Sequence, residues 1–401
     1  MTDKDKFPLK VLFITHNYPR QKGDYSGVFL HLLARKLRDY DIQVYVVAPH
    51  DKGCELKEEI EGIKIYRFRY ALRSLETFAY SGGMHKGILF NPYKWYRLWR
   101  FLMAARKLSA RVIESEGIAV VSIHWVAPNA LVGKWLKEKY GDKIRLFLSS
   151  HGTDIRVLTK KPVIFRLLRS TIHRAEGWTV VSSFLKKLVA QKDSGAADKI
   201  EIIPLPNDET IFYPDDKIAE DPNLVVAVSR LTQQKRINYL LEAIRLASEK
   251  RPEIKLEIYG KGDERVEIER LIRELEIMNR VKICDPIPHE ELSKVYNRAA
   301  VVVLNSIDEG FGLSLTEAML CRTAVIGTKS GGITDIIEDN KTGLLVPVDN
   351  AEILSEKIVQ LLEDSSLRLR LAEAGYQKAM EHYSCKSSVA RYARWFKGEK
   401  T

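Results

Sequence analysis

Two glutamates eight positions apart, Glu309 and Glu317, bracket a glycine-bearing turn in the run Asn305-Ser-Ile-Asp-Glu309-Gly-Phe-Gly-Leu-Ser-Leu-Thr-Glu317. The run follows a β-branched strand pattern, Val301–Leu304, and then turns helical. Gly310 and Gly312 allow close approach of backbone to a ligand. A helix beginning near Leu313, behind Phe311, would present unpaired N–H groups to an anion such as a diphosphate. Glu309, at a strand end, would otherwise be an unpaired carboxylate, so it is a candidate ligand contact. Glu317 has a second reading, because Ser314-x-x-Glu317 is also a capping box that needs no ligand. A pair of cations occupies an equivalent place earlier. Arg230 closes the strand Leu224–Val228 and Lys235 precedes a helix, so a fork and a point charge can reach one phosphoryl group. A solvated basic loop is the plain alternative.

The first half of the chain carries its own strand-end residues. Ser150-His151-Gly152-Thr153-Asp154 follows Arg145–Ser149 and places an imidazole beside a glycine, with Asp154 expected to cap the next segment. The loop Asn17–Gly27 precedes a helix with Phe29, Leu32, Leu33 and Leu37 on one face. There Ser26 is the expected N-cap and Gly27 could admit phosphates to the backbone. His124 and Asn129 follow another strand and are candidate ligand contacts on position alone. The stretch Asn91–Met103 mixes Trp95, Trp99, Tyr93 and Tyr96 with Lys94, Arg97 and Arg100. That mixture suits a membrane interface, where rings sit at headgroup level; the plain alternative is a helix packing its aromatics into the core.

These residues need strands to hold them. Short apolar strand patterns alternate with helical periodicity throughout, as in Ile237, Leu240, Leu241, Ile244 and in Leu292, Val295, Tyr296, Ala299. The alternation predicts an α/β protein of two doubly wound, Rossmann-like domains facing a central cleft, with ligands at the carboxyl ends of the strands. Prolines at 204, 206, 214 and 222 mark a linker. The expected division is 1–205, a first domain; 206–383, a second; and 384–401, a C-terminal helix capped by Ser384 that could pack back on the first domain.

The motif Glu309-Gly-Phe-Gly-Leu-Ser-Leu-Thr-Glu317 resembles the signature of retaining glycosyltransferases of the GT-B fold, family 4. The resemblance implies that Glu309 contacts the donor sugar and Glu317 the ribose of a nucleotide sugar. It also implies that Arg230 and Lys235, in Arg-Leu-x-x-x-Lys, hold the leaving diphosphate, and that His151 faces the sugar. It further implies that 206–383 is the donor-binding domain and 1–205 the acceptor-side one, where His124 and Asn129 are acceptor-side candidates by position. The departures are Arg236 in place of the family's glycine, Ser26-Gly27 for Gly-Gly, Asp335 for a glutamate in Gly331-Gly332-x-x-Asp335, and no glycine in Asn207-Asp208-Glu209. The only Asp-x-Asp, Asp3/Asp5, lies in the N-terminal tail. The resemblance implies no cofactor and no metal, with side chains and helix N-termini stabilising the diphosphate.

Composition narrows the field. Of 401 residues, 45% are hydrophobic and 29% charged, which suits large cores and disfavours disorder. The four cysteines form no Cys-x-x-Cys, so neither a disulfide scaffold nor a zinc finger is expected. Residues 1–200 hold 36 Lys+Arg against 19 Asp+Glu, a surplus of 17, and the remainder 28 against 34, a deficit of 6. A basic first half beside an acidic second half points to one anion-facing part. No apolar run is long enough for a signal peptide or membrane span, so the expectation is a cytoplasmic enzyme, peripheral at the inner membrane face. The expected partners are a nucleotide sugar, a sugar or lipid-linked acceptor in glycolipid or polysaccharide synthesis and an anionic membrane surface, with no nucleic acid. A sugar-nucleotide epimerase of the same fold and a non-catalytic basic-surface binding protein are the rival readings. A dinucleotide oxidoreductase is disfavoured, since Thr15–Gly27 lacks Gly-x-Gly-x-x-Gly.

Overall fold

The computed structural model describes residues 8–21, 24, 26–72, 76, 79–80 and 92–399. Asp3, Asp5, Lys22, Gly23, Tyr25 and Asn91 lie outside them. The chain forms two compact units, one of Met1–Ile203 with Ser388–Thr401 and one of Pro204–Ser387. The division falls two residues before the expected one, and the last helix, Cys385–Lys397, belongs mostly to the first unit.

The first unit is built on eight strands: β1 Leu9–Ile14, β2 Ile42–Pro49, β3 Lys57–Ile60, β4 Ile63–Phe68, β5 Val120–His124, β6 Arg145–Ser150, β7 Gly177–Val180 and β8 Ile200–Ile202. Their order is β3-β4-β2-β1-β5-β6-β7-β8, parallel throughout except for β3 against β4. β3 was not anticipated. Its sequence, Lys-Glu-Glu-Ile, has no apolar run, because it is an edge strand whose Lys57 and Glu59 face water while Glu58 pairs with the buried Arg67. Central strands are buried on both faces, as the continuous apolar runs predicted.

The second unit has six strands, all parallel: β9 Asp221–Val228, β10 Lys255–Tyr259, β11 Val281–Cys284, β12 Ala299–Leu304, β13 Ala324–Thr328 and β14 Leu344–Val346. The order β11-β10-β9-β12-β13-β14 is the doubly wound pattern, reversing between β9 and β12. In the first unit the same reversal falls between β1 and β5. Helix Ile237–Lys250 buries Ile237, Leu240, Leu241 and Ile244 against this sheet, each worth about 1.5–3 kcal/mol. The helix expected through Ala299 stops at Arg298, and Ala299 opens β12 without a loop.

Pro204–Asn207 is buried rather than an exposed linker. Asn207 explains this locally: its side-chain amide donates to the Tyr383 carbonyl at 2.9 Å and its oxygen accepts from the Thr316 hydroxyl at 3.1 Å. Glu209 accepts from the amides of Cys385 and Lys386, joining Ser384 in capping the last helix. No helix among the described residues is long and apolar enough to cross a membrane.

Candidate active site

In the second unit the predicted donor-binding residues converge on the switch point, on the loops after β9 and β12. Three contacts stitch these loops together. Gln234 O accepts from the Ile307 amide at 2.9 Å and from the Ser306 hydroxyl at 3.2 Å, and Asn305 Nδ2 donates to Arg236 O at 2.9 Å. Lys235 and Glu309 are thereby brought into direct ion pairing through Glu309 Oε2, which also accepts from Ser306 Oγ at 2.8 Å. Both side chains are mostly enclosed, 11% and 15% exposed. Arg230, five residues before Lys235 on the same loop, is exposed, its guanidinium paired with no side chain among the described residues.

Backbone fit holds both loops in place. A Cβ on Gly262 would sit 2.0 Å from the Leu231 carbonyl oxygen, so β10's loop can press against the Arg230 segment only as glycine. Gly331, at φ +61°, packs likewise on Glu309, where a Cβ would approach the Glu309 carbonyl to 2.3 Å. Arg236 adopts φ +49°, ψ +36°, the left-handed conformation that the glycine it replaces would take, and its side chain pairs with Asp349 at 3.0 Å. The substitution therefore leaves the turn type unchanged.

Gly312 is the N-cap of helix Leu313–Leu320, whose first turn no side chain caps. Gly310 and Phe311 are buried ahead of it, with Phe311 against Tyr383 at 5.7 Å. The capping box is not formed, because Ser314 lies inside the helix and Glu317 points elsewhere. Glu317 accepts from Tyr296 Oη at 2.8 Å through Oε2 and meets His289 Nε2 at 2.8 Å through Oε1. Burial alone would lower the His289 pKa, but the charge and hydrogen bond of Glu317 outweigh it and raise it. Burial, then the Glu317 charge, pushes the Tyr296 hydroxyl pKa far up, so it remains a donor. Neither His289 nor Tyr296 was anticipated from sequence as a partner of Glu317. His289 belongs to no motif, and Tyr296 registers only as one apolar position of a helix.

The first unit gathers its residues around β1, β5 and β6. His151 and His124 meet at 3.2 Å, Nε2 to Nδ1, and His124 Nε2 lies 3.2 Å from Ser122 Oγ. His151 packs edge-on to Trp125 and against Phe29, with its Nδ1 buried and unpartnered among the described residues. Burial, with His16 as a lesser cause, depresses the His151 pKa to about 3, so the ring is neutral at physiological pH. His124 is likewise driven well below the usual histidine range by burial and then by His151.

Three assignments change here. His124 and Asn129, expected on the acceptor side, are 0% and 1% exposed. Asn129 donates to the His124 carbonyl at 2.8 Å and meets His16 Nδ1 at 3.2 Å, so both residues stand behind the surface and hold others. Asp154 is not a helix cap. It is fully buried and accepts from the amides of Val126, His151 and Gly152, tying the β5 and β6 loops together. Ser26 is not an N-cap either: Gly27, at φ +69°, takes that position in the left-handed conformation. His16, one residue beyond Thr15 after β1, was missed, although its strand-end position was the available signal.

Among the described residues no group of three His, Cys, Asp or Glu side chains is placed to hold a metal ion.

Residues 26–210 match Glycosyltransferase Family 4, and residues 209–378 match Glycosyl transferases group 1. The chain is 26% identical to the N-acetyl-alpha-D-glucosaminyl L-malate synthase of Bacillus anthracis, over 75% of this chain and 80% of that one. It is also 26% identical to a GDP-mannose-dependent alpha-(1-6)-phosphatidylinositol monomannoside mannosyltransferase of Mycolicibacterium smegmatis, over 97% and 99%. The sucrose-phosphate synthase of Thermosynechococcus elongatus shares the fold at a TM-score of 0.81 and 20% identity, covering 97% of this chain and 98% of that one. With two doubly wound sheets and the two family matches together spanning residues 26–378, the chain belongs to the GT-B glycosyltransferases of family 4.

Proposed function

We propose that this glycosyltransferase moves a sugar from a nucleoside diphosphate sugar to an acceptor hydroxyl with retention at the anomeric carbon. The observation that carries the reading is the Lys235–Glu309 ion pair at the switch point, with the exposed Arg230 on the same loop as Lys235. A diphosphate arriving here meets two cations and the N-terminus of helix Leu313–Leu320, in a partly enclosed place where such donors can each contribute about 2–4 kcal/mol to a transition state. Drawing Lys235 onto the phosphate releases Glu309 to accept hydrogen bonds from the sugar hydroxyls. Gly310, Phe311, Gly312 and Leu313 set the backbone that receives the phosphates, Gly27 offers a second such approach, and Glu317 holds the ribose.

His151 orients the transferred sugar. Where Ser122 donates to His124 Nε2, the His124 proton lies on Nδ1 and is given to His151 Nε2, leaving His151 Nδ1–H as an unpartnered donor. In the displacement, the bond from the anomeric carbon to the phosphate oxygen breaks as the acceptor oxygen bonds on the same face. The acceptor proton passes to the departing phosphate oxygen. Arg230 and Lys235 carry the charge that develops there, and the reading requires no metal.

The acceptor is a sugar or lipid-linked sugar, in glycolipid or cell-surface polysaccharide synthesis at the cytoplasmic face of a membrane. The name of the mycobacterial relative, with its GDP-mannose and phosphatidylinositol monomannoside, supports a nucleotide-sugar donor and a lipid-linked acceptor, and both that name and the Bacillus one support α-linked products. Calorimetric titration of UDP, GDP, ADP and NAD in EDTA, repeated on Arg230→Ala, tests the donor site. Tight binding of one nucleoside diphosphate, weakened at least about tenfold in the variant, is expected. Binding of NAD alone, or of nothing, overturns the reading. Inversion of the anomeric configuration, read by NMR of the product, would leave the donor site standing and reject the displacement.

A further inference from the structure

Glu317 lies in helix Leu313–Leu320 with its side chain only 6% exposed. Both of its carboxylate oxygens are held by side chains from one segment, the connection between β11 and β12. His289, early in that connection, sets Nε2 2.8 Å from Oε1. Tyr296, in helix Leu292–Arg298, donates its hydroxyl to Oε2 at 2.8 Å. Phe212 is buried against both holders, edge-on to the His289 ring at 4.9 Å and 6.0 Å from the Tyr296 ring. Neither holder can swing away without displacing that ring. Turning the carboxylate back to the helix N-terminus, as a capping box needs, would break both bonds.

A carboxylate accepts at about four sites, two on each oxygen. His289 and Tyr296 fill one on each oxygen, which leaves one on each, side by side in a fixed plane. Two vicinal hydroxyls of a ribose can donate to such a pair of sites together. A deoxyribose, with one hydroxyl fewer, fills only one of them.

We propose that His289 and Tyr296 are positioning residues that fix the Glu317 carboxylate for the ribose hydroxyls of the donor, and so set a preference for a ribonucleotide over a deoxyribonucleotide. The inference rests on the proposed reading of Glu317 as the ribose contact. Each residue acts through the carboxylate, sparing the binding step the cost of ordering it. Removing either holder therefore weakens the ribose form more than the deoxy form. A purely structural pair, present only to satisfy an enclosed charge, would weaken both forms alike.

Calorimetric titration of the full chain with UDP, GDP and ADP, each beside its 2′-deoxy form, tests this. The proteins are the wild type, Tyr296→Phe, His289→Asn and Glu317→Gln, with thermal melting to verify folding. For the base that binds, the wild type should prefer the ribose form by about tenfold or more, as a hydrogen bond to a charged group allows. The preference should fall to about threefold or less in each variant. Affinity for inorganic diphosphate, which meets only the phosphate end, should stay unchanged in Tyr296→Phe and His289→Asn. An equal loss for both nucleotide forms, or a wild-type preference in Tyr296→Phe and His289→Asn, overturns the proposal. If Glu317→Gln abolishes the preference while those two keep it, the ribose reading of Glu317 stands and the positioning falls. If Glu317→Gln keeps it as well, the ribose reading fails and the proposal with it. Binding of no nucleoside diphosphate at all rejects the proposed function too. Should His289→Asn not fold, Tyr296→Phe, which removes a single oxygen, decides alone.

Discussion

Lys235 and Glu309, from loops after two different strands, form an ion pair inside the second unit. The two residues proposed to hold opposite ends of the donor, the phosphate and the sugar, therefore hold each other. Each neutralises the other's partly buried charge, and ligand binding must exchange the pair for new partners.

Coupling follows from this. Lys235→Met leaves Glu309 enclosed without its counter-charge and should cost about 1–3 kcal/mol of stability. Lys235→Met combined with Glu309→Gln should recover part of that loss, because the two changes act on one interaction. Transfer activity should fall about 100- to 1000-fold in Lys235→Met and stay low in the double variant. Urea denaturation and initial rates measured on Lys235→Met, Glu309→Gln and the double variant check both halves.

Gly331→Ala places a methyl group 2.3 Å from the Glu309 carbonyl at a left-handed backbone position. The Glu309 peptide must move. Because a displacement of about 1 Å can cost about 100-fold in rate, kcat should drop by 10- to 100-fold while nucleoside diphosphate binding persists. A variant with wild-type kcat would remove Glu309 from the reaction.

Arg236→Gly relieves a left-handed arginine, worth about 1–2 kcal/mol. It also adds glycine's unfolded-state entropy and removes a partly exposed pair with Asp349, worth at most about 1 kcal/mol. The net change in stability should lie within about 1 kcal/mol, with unchanged donor affinity. Arg236→Val should be worse by about 2 kcal/mol, since a β-branched residue fits that region poorly. Chemical denaturation of the two variants decides whether backbone shape governs this position.

His151 and His124 are held neutral by burial, with the His151 pKa near 3. The unfolded chain binds more protons below its ordinary value of 6.5, so stability is complete above pH 6.5 and falls as pH drops. The slope is at most about 1.4 kcal/mol per pH unit for each ring. Urea midpoints between pH 7 and 4 should decline less steeply in His124→Gln than in the wild type.

His289 behaves in the opposite sense. Its pKa is raised, net, by Glu317, with Glu290 and Asp208 adding to the effect. Its contribution is fully present below pH 6.5 and is lost as pH rises through the raised value. The stability difference between the wild type and His289→Asn should be widest near pH 6 and narrow towards pH 9, as read by melting temperature. A difference independent of pH would mean that His289 packs against Phe212 without supporting Glu317 by charge.

Much of the framework was legible in local sequence. The strand at Lys255–Tyr259 and helix Ile237–Lys250 follow from apolar periodicity, which depends only on neighbours a few positions away. The strand-end rule located Arg230, Lys235, Glu309 and His151, because a doubly wound sheet puts every such loop at one end. The charged edge strand Lys57–Ile60 escaped, since edge strands need no apolar run.

The partners were decided by tertiary structure. Lys235 and Glu309 are 74 residues apart, Glu317 and His289 28 apart, and Asp154 and Val126 28 apart. No periodicity spans such distances, so Glu317 reads as a capping box and Asp154 as a cap until the fold brings competing donors to them. The same holds for the helix Pro92–Glu116. Its sequence fits a buried or an exposed aromatic face, and only the sheet it packs on settles that Leu98 and Phe101 turn inward while Trp95 and Trp99 face water. Residue types and spacing determined which chemistry was available, and long-range packing, which alone sets burial and pairing, decided which side chains are free to use it.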